Sequence, residues 1–179
     1  MGAVTDAELF SGLRNGEEAA FSQLYAQHKD TLLFYIRSIL RNESDALDAF
    51  QSLFARLVRD RHTLPDVSNV RSFLLTCARN EAITALRSRK RRERAVDRAS
   101  RLRLQAVEPA AMPHEGDALA DALASLPDEQ REAVVLKTWA GATFAEIARL
   151  TDVSEGTAVS RYRYGLEKLK STFGVKSHG

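Results

Sequence analysis

Thr143–Lys170, TFAEIARLTDVSEGTAVSRYRYGLEKLK, reads as two helices joined by a tight turn. Thr143 followed three residues later by Glu146 is a capping box, which starts a helix at about Phe144. Ser154 is placed to cap a second helix, with Glu155 in its first turn, where a carboxylate suits the helix dipole. Between them Asp152 tolerates the left-handed backbone that a sharp helix–helix turn needs. In the second helix Ala158, Tyr162, Leu166 and Leu169 share one face at 3.6-residue spacing, and Ser160, Arg163, Tyr164 and Glu167 lie opposite. A helix-turn-helix with an outward recognition surface has this arrangement. An ordinary amphipathic hairpin facing water has it too. The cationic C-terminal half (Arg161, Arg163, Lys168 and Lys170 against Glu167) favours a phosphate-facing surface without deciding between them.

Before that stretch, Pro127 is expected in the first turn of a helix, with Asp128 and Glu129 beside it. This helix carries Ala133, Val134, Leu136 and Trp139, with Gly141 as its C-terminal cap. A shorter helix with Leu119, Ala122, Leu123 and Leu126 precedes it. Residues 95–118 contain Pro109, Pro113 and Gly116 and no periodicity, the composition of a flexible linker.

On the N-terminal side, Thr5 and Glu8 form another capping box, and Asn15-Gly16 ends that helix. A second helix from Glu17 or Glu18 carries Phe21, Leu24, Tyr25, His28 and Leu32, and either continues or restarts through Tyr35, Ile36, Ile39 and Leu40. Ser44 or Asp45 is expected to cap a third helix to Arg59. Leu47, Phe50, Phe54, Leu57 and Val58 form its inner side; Asp45, Asp48, Gln51, Ser52 and Arg56 form its outer side. After a loop containing Pro65, a long helix from Val70 to Arg94 has Phe73, Leu74, Cys77, Ala78, Ala82, Ile83 and Leu86 as its apolar stripe. No strand-like alternation occurs. The expected fold class is therefore all-α: two small helical domains, residues 1–94 and 119–179, joined by the flexible linker, the second a helix-turn-helix.

The 179 residues are 44% hydrophobic and 28% charged, as in globular proteins, with no apolar run long enough for a membrane span. The N-terminus lacks the basic and apolar blocks of a signal peptide, so a cytoplasmic location is expected. The single cysteine, Cys77, is expected as a small buried hydrophobe, and His28, His62, His114 and His178 are too scattered for a zinc site. Neither a paired-carboxylate pocket, a Ser–His or Cys–His constellation, nor a phosphate loop can be argued, so neither catalysis nor a cofactor is expected. The net charge of +2 conceals an imbalance, since Arg87–Arg103 carries +7 and the remainder −5. Six of the eight residues from Arg87 to Arg94 are basic, more than a helix dipole requires, which points to a polyanionic partner met at one place.

Leu126-Pro-Asp-Glu-Gln-Arg-Glu-Ala-Val-Val-Leu, then Gly141, Phe144-Ala-Glu-Ile-Ala, Ser154-Glu-Gly-Thr and Ser160-Arg161, resembles the fourth-domain signature of extracytoplasmic-function (ECF) RNA polymerase sigma factors. Asp45-Ala-Leu-Asp-Ala-Phe-Gln and Phe73-Leu-Leu-Thr-Cys-Ala-Arg-Asn-Glu-Ala-Ile resemble that family's second domain. The resemblance implies a factor with sigma domains 2 and 4 only, which binds core RNA polymerase and directs initiation at promoters with −10 and −35 elements. It implies that Asp45, Asp48, Gln51 and Ser52 dock on the β′ clamp, Ser52 standing where glutamate is usual. For the −10 element it points to Asn69, Arg79, Asn80, Thr84 and Arg87, with Arg89, Lys90, Arg91 and Arg92 holding phosphates. Phe73 replaces a common tryptophan there, which reads as a core change. For the −35 element it points to Thr157, Val159, Ser160, Arg161, Arg163 and Tyr164. Val159 and Tyr164 depart from usual basic residues, and Asp152 from a usual glycine. The family also suggests an anti-sigma partner. A stand-alone helix-turn-helix regulator of duplex DNA is the alternative, and it has no need of the face bearing Asp48 and Gln51.

Overall fold

The computed structural model describes residues 5–100 and 118–174, with side chains of the long fourth helix as far as Arg94. Among these residues the regular elements are α1 (Asp6–Asn15), α2 (Glu18–Leu40), α3 (Glu43–Arg59), a single 3-10 turn (Arg61–Thr63), α4 (Val70–Ser100), α5 (Ala118–Ala124), α6 (Asp128–Thr138), α7 (Phe144–Thr151) and α8 (Glu155–Thr172). The all-helical expectation is met.

In the N-terminal unit α1 begins at the Thr5–Glu8 capping box and ends at Gly16, whose φ of 81° suits glycine. α2 is one continuous rod, not two. The cap of α3 is Asn42, whose side chain accepts from the Asp45 backbone N–H at 2.9 Å, so neither Ser44 nor Asp45 serves. The inner stripe of α3 follows Ala46, Ala49, Phe50, Leu53, Phe54 and Leu57, spaced three or four residues apart. Leu47 and Val58, expected inside, fall off that stripe and are 38% and 41% exposed. Phe10 meets Phe73 edge-on at 5.3 Å, so the phenylalanine at that position is a packing residue. α4 runs six residues beyond the expected end at Arg94. Pro109, Pro113, Arg101 and Arg103 lie outside the described residues, as does the side chain of Arg98.

In the C-terminal unit Pro127 stands at the N-cap of α6, one position before the helix rather than in its first turn. Trp139 closes α6, and Gly141, at φ 62°, turns the chain toward α7 instead of capping. The Thr143–Glu146 capping box, the left-handed Asp152 (φ 55°, ψ 52°) and the Ser154 cap are all present. α8 crosses α6 at Gly165, where an added Cβ would sit 2.7 Å from Val134 Cγ2 and 3.2 Å from the Gln130 carbonyl oxygen. Only a residue without a side chain fits.

The two units are docked, with α6 against α2 and α7 beside the start of α4. Phe34 of α2 stacks on Trp139, ring centroids 4.7 Å apart and 16° from parallel. Such a stack contributes about 0.5–1.5 kcal/mol beyond area burial. Arg131, 3% exposed, donates to the Ser38 carbonyl across the seam at 2.7 Å, to the Leu126 carbonyl at 2.9 Å and to Asp128 at 2.5 Å. Among the described residues no helix is long and apolar enough to cross a membrane.

Candidate nucleic-acid interface

The outer face of α3 carries Asp48, Gln51 and Ser52, all exposed, around the exposed Leu47. The Asp48 carboxylate beside exposed Leu47 makes this part of the face ill-suited to phosphates. Asp45 is half-buried and paired with Arg89 of α4 at 3.4 Å. Arg89 also donates to the Leu40 carbonyl at 3.3 Å and pairs with Glu93 at 3.4 Å. Its guanidinium thus ties α4 to α2 and α3 and is the least free member of the basic run.

α4 presents the rest of that run outward. Thr84, Arg87, Lys90, Arg91 and Arg94 line an open groove of about 550 Å³, and Arg92 is exposed beside it. One turn toward the N-terminus, α3, α4 and the 3-10 turn enclose a cavity of about 240 Å³, with Leu64, Phe73 and Cys77 as its apolar wall and Asn80 at its polar edge. Arg56, Asp60, Thr63 and Glu81 complete its polar lining, so the apolar wall faces a polar and charged rim, a combination that can hold a flat heteroaromatic ring by stacking and edge hydrogen bonds. Cys77 was expected as a plain core residue, yet it is half-buried and lines this cavity; burial pushes its thiol up to about 11, so it stays protonated and unreactive.

Two other candidates, Asn69 just before α4 and Arg79 on it, are engaged by the C-terminal unit. Asn69 accepts from the Ser72 backbone N–H at 2.8 Å and donates to Glu146 at 2.9 Å. Arg71 lies 3.7 Å from the same carboxylate. The backbone N–H of Thr143, with lesser help from Arg71, holds the Glu146 carboxyl below the usual glutamate range. Arg79 donates to Glu132 of α6 at 2.8 Å, and the buried Tyr35 hydroxyl donates to the same oxygen at 2.7 Å. Burial opposes the charge on Arg79, but the bond to Glu132 prevails and raises its pKa; burial likewise raises Tyr35 far above the ordinary phenol value. Glu132 and Arg131 had no role assigned from the sequence, Tyr35 was expected only as a core residue and Glu146 only as a capping partner. Each looks like an ordinary helix residue until the partner segment is placed against it.

α8 differs. Thr157, Val159, Arg163 and Tyr164 are exposed, Ser160 and Arg161 half-exposed, and none contacts the N-terminal unit through an ion pair or ring contact. The Arg163 guanidinium lies 5.0 Å from the Tyr164 ring centroid and 4.0 Å from Glu167, loose contacts that a phosphate or base edge can replace. Ala158, Gly165 and Leu169 are buried on the opposite face, with Tyr162 and Leu166 partly so. Among the described residues no His, Cys, Asp and Glu are grouped to hold a metal ion.

Comparison with known proteins bears directly on this arrangement. Residues 24–92 match the Sigma-70 region 2 family, and residues 116–169 match the Sigma-70, region 4 family. RNA polymerase sigma factor CarQ of Myxococcus xanthus is 33% identical, over 90% of this chain and 93% of its own. ECF RNA polymerase sigma factor SigM of Mycobacterium tuberculosis (strain ATCC 25618 / H37Rv) is 31% identical, over 98% of this chain and 88% of its own. Two solved structures share the fold at 24% identity. CnrH in complex with the cytosolic domain of CnrY has a TM-score of 0.68, covering 96% of this chain and 99% of that one. The sigma factor RpoE in complex with the anti-sigma factor NepR from Bartonella quintana has a TM-score of 0.69, covering 88% and 98%. With region 2 on α2–α4, region 4 on α5–α8 and full-length relatives of the same name, the chain belongs to the ECF RNA polymerase sigma factors.

Proposed function

We propose that this protein is an alternative sigma factor that fastens to core RNA polymerase through α3 and directs initiation by holding promoter DNA with α4 at the −10 element and α8 at the −35 element. The observation that carries this reading is the division of the surface into three chemistries: an acid-and-amide patch around Leu47, a cationic groove beside a base-sized cavity, and a polar helix face whose ion-pair and ring contacts stay within α8. Residues 1–94 serve as the polymerase- and −10-binding domain, residues 95–118 as the connection and residues 119–179 as the −35-binding domain.

At the −10 element, an unpaired base enters the cavity walled by Phe73 and Cys77 and meets Asn80 at its edge. Unstacking costs a few kcal/mol, offset by stacking and by phosphate contacts from Arg87, Lys90, Arg91 and Arg92. At the −35 element α8 lies in the major groove, with Thr157, Ser160 and Arg163 reaching base edges, Val159 meeting a thymine methyl, and Arg161 and Tyr164 gripping the backbone. The protein contributes binding energy and geometry; it carries out no bond chemistry of its own, and it works in the cytoplasm where the polymerase is. An anti-sigma factor is its expected regulatory partner, by analogy with the relative solved with NepR.

Run-off transcription on a promoter library tests this. Core polymerase with the protein should start at a defined promoter class, and Asp48→Ala with Gln51→Ala should weaken core binding while sparing duplex binding. Core polymerase that starts no differently with and without the protein would refute the reading.

A further inference from the structure

The loop between α3 and α4 supplies Thr63 and Leu64 to the base-sized cavity, yet it holds itself together only at its near end. There the Thr63 backbone N–H and hydroxyl both donate to the Asp60 carbonyl at 2.9 Å, and the Leu64 N–H reaches the Arg61 carbonyl at 3.4 Å. Pro65 has no N–H to give. Among the described residues one polar contact ties residues 65–68 to the rest of the protein, the ion pair from Arg14 of α1 to Asp66. The Asp66 side chain is otherwise 92% exposed. α1 meets the same region at two further places. Phe10 backs the Phe73 ring that walls the cavity, and Arg61, at the start of the loop, lies against the Gly16 turn that ends α1. α1 therefore touches the loop near both ends and supports the cavity from behind. It precedes residues 24–92, the segment that matches region 2, and nothing in the sequence pairs Arg14 with a residue 52 positions away.

We propose that α1 is a clasp for the loop of the −10 site, and that Arg14, acting through Asp66, is a positioning residue for capture of the unpaired base. This rests on the assignment of α4 and its cavity to the −10 element. The physical reason is preorganisation. A loop already held in its binding shape gives up less conformational freedom when the base arrives, so affinity rises without any new contact to DNA. Arg14 does not line the cavity; its guanidinium goes to the loop. An exposed ion pair adds little to global stability, because water replaces it easily. It still decides where a four-residue stretch with no other polar anchor sits. The rival role for an exposed arginine beside a DNA site is to hold a phosphate, and the two roles have opposite signs at Asp66. In a clasp the Asp66 carboxylate helps binding; beside a phosphate-holding arginine it hinders binding.

The test uses holoenzyme, the full chain on core polymerase, with a fluorescent single strand carrying the −10 element of a promoter it selects. Asp66→Ala and Arg14→Ala should each weaken binding of that strand by about three-fold, within the range of an exposed ion pair. The double variant should lose no more than either alone, and Arg14→Lys should recover most of the loss. On a strand made abasic at the captured position, found as the one where removing the base costs the parent most, the loss should vanish. The salt slope, the affinity for core polymerase and the thermal melt should stay as in the parent. Asp66→Ala that binds more tightly, or Arg14→Ala that lowers the salt slope by about 0.7, overturns the proposal in favour of a phosphate contact. Variants that bind like the parent, or losses that persist on the abasic strand, overturn it outright. Parent holoenzyme that ignores the single strand refutes instead the −10 assignment on which the clasp stands.

Discussion

α4 and α8 are both assigned to DNA, yet one is occupied by its own protein and the other is free. On α4, Arg79 has exchanged water for Glu132 and Arg89 for Asp45; on α8, Arg163 has only a distant glutamate and a neighbouring ring. The difference follows from where each helix lies. α4 forms the core of the N-terminal unit and a wall of the seam, so its side chains are shared among packing, docking and DNA. α8 buries one face on α6 and has nothing else to do with the other. The helix with fewer structural duties keeps its outer face clear of the other unit.

The largest effect that sharpens this contrast is expected at the basic run. Replacing Lys90, Arg91, Arg92 and Arg94 with Ala removes four cations that are not part of the seam. The slope of log affinity against log salt for single-stranded DNA should fall by about 3, from about 0.7 per phosphate contact. Titrations at several salt concentrations check it, and an unchanged slope would place the run away from phosphates. Next is Arg163→Ala, which should weaken binding to the protein's own −35 duplex by about 1–3 kcal/mol even in the docked state, because α8 is already free. Unchanged binding would erase the distinction between the helices.

Gly165→Ala drives a methyl group into Val134 and should destabilise the C-terminal unit by about 1–3 kcal/mol, read as a shift in its thermal melt. The N-terminal unit should be unaffected. The smallest effect concerns pH. Glu146 is held below the ordinary value of 4.5, so its stabilising contribution is complete above that value and fades as pH falls through the lowered one. The near-ultraviolet dichroism of Trp139, which senses its stack on Phe34, should begin to weaken below pH 4.5 in the parent protein and much less in Glu146→Gln, which keeps the capping geometry without the charge.

Much of this was legible in the sequence because it is local. Capping boxes at Thr5 and Thr143, the left-handed Asp152 and the two-faced pattern of α8 each involve residues within a turn or two of one another. Errors came where two neighbouring residues competed for one role. Asn42 outcompeted Ser44 and Asp45 as a cap, and Ala46 took the inner place given to Leu47. The charge run announced a polyanion, but nothing in it distinguished Arg89, turned inward to Asp45, from its outward neighbours. Gly165 did carry an unread signal, because glycine in a helix interior costs about 1 kcal/mol relative to alanine and needs a reason to be there. The seam was illegible. It joins residues up to 97 positions apart, such as Tyr35 and Glu132, and no periodicity along the chain encodes that meeting.

Arg131 serves the seam and its own unit at once. Its guanidinium has five donors, and the bond to Ser38 is the one it gives to α2. Its bonds to the Leu126 carbonyl and to Asp128 fasten the α5–α6 corner from within. The corner therefore owes two of its three bonds to its own segment, and losing the contact with α2 would leave its shape intact.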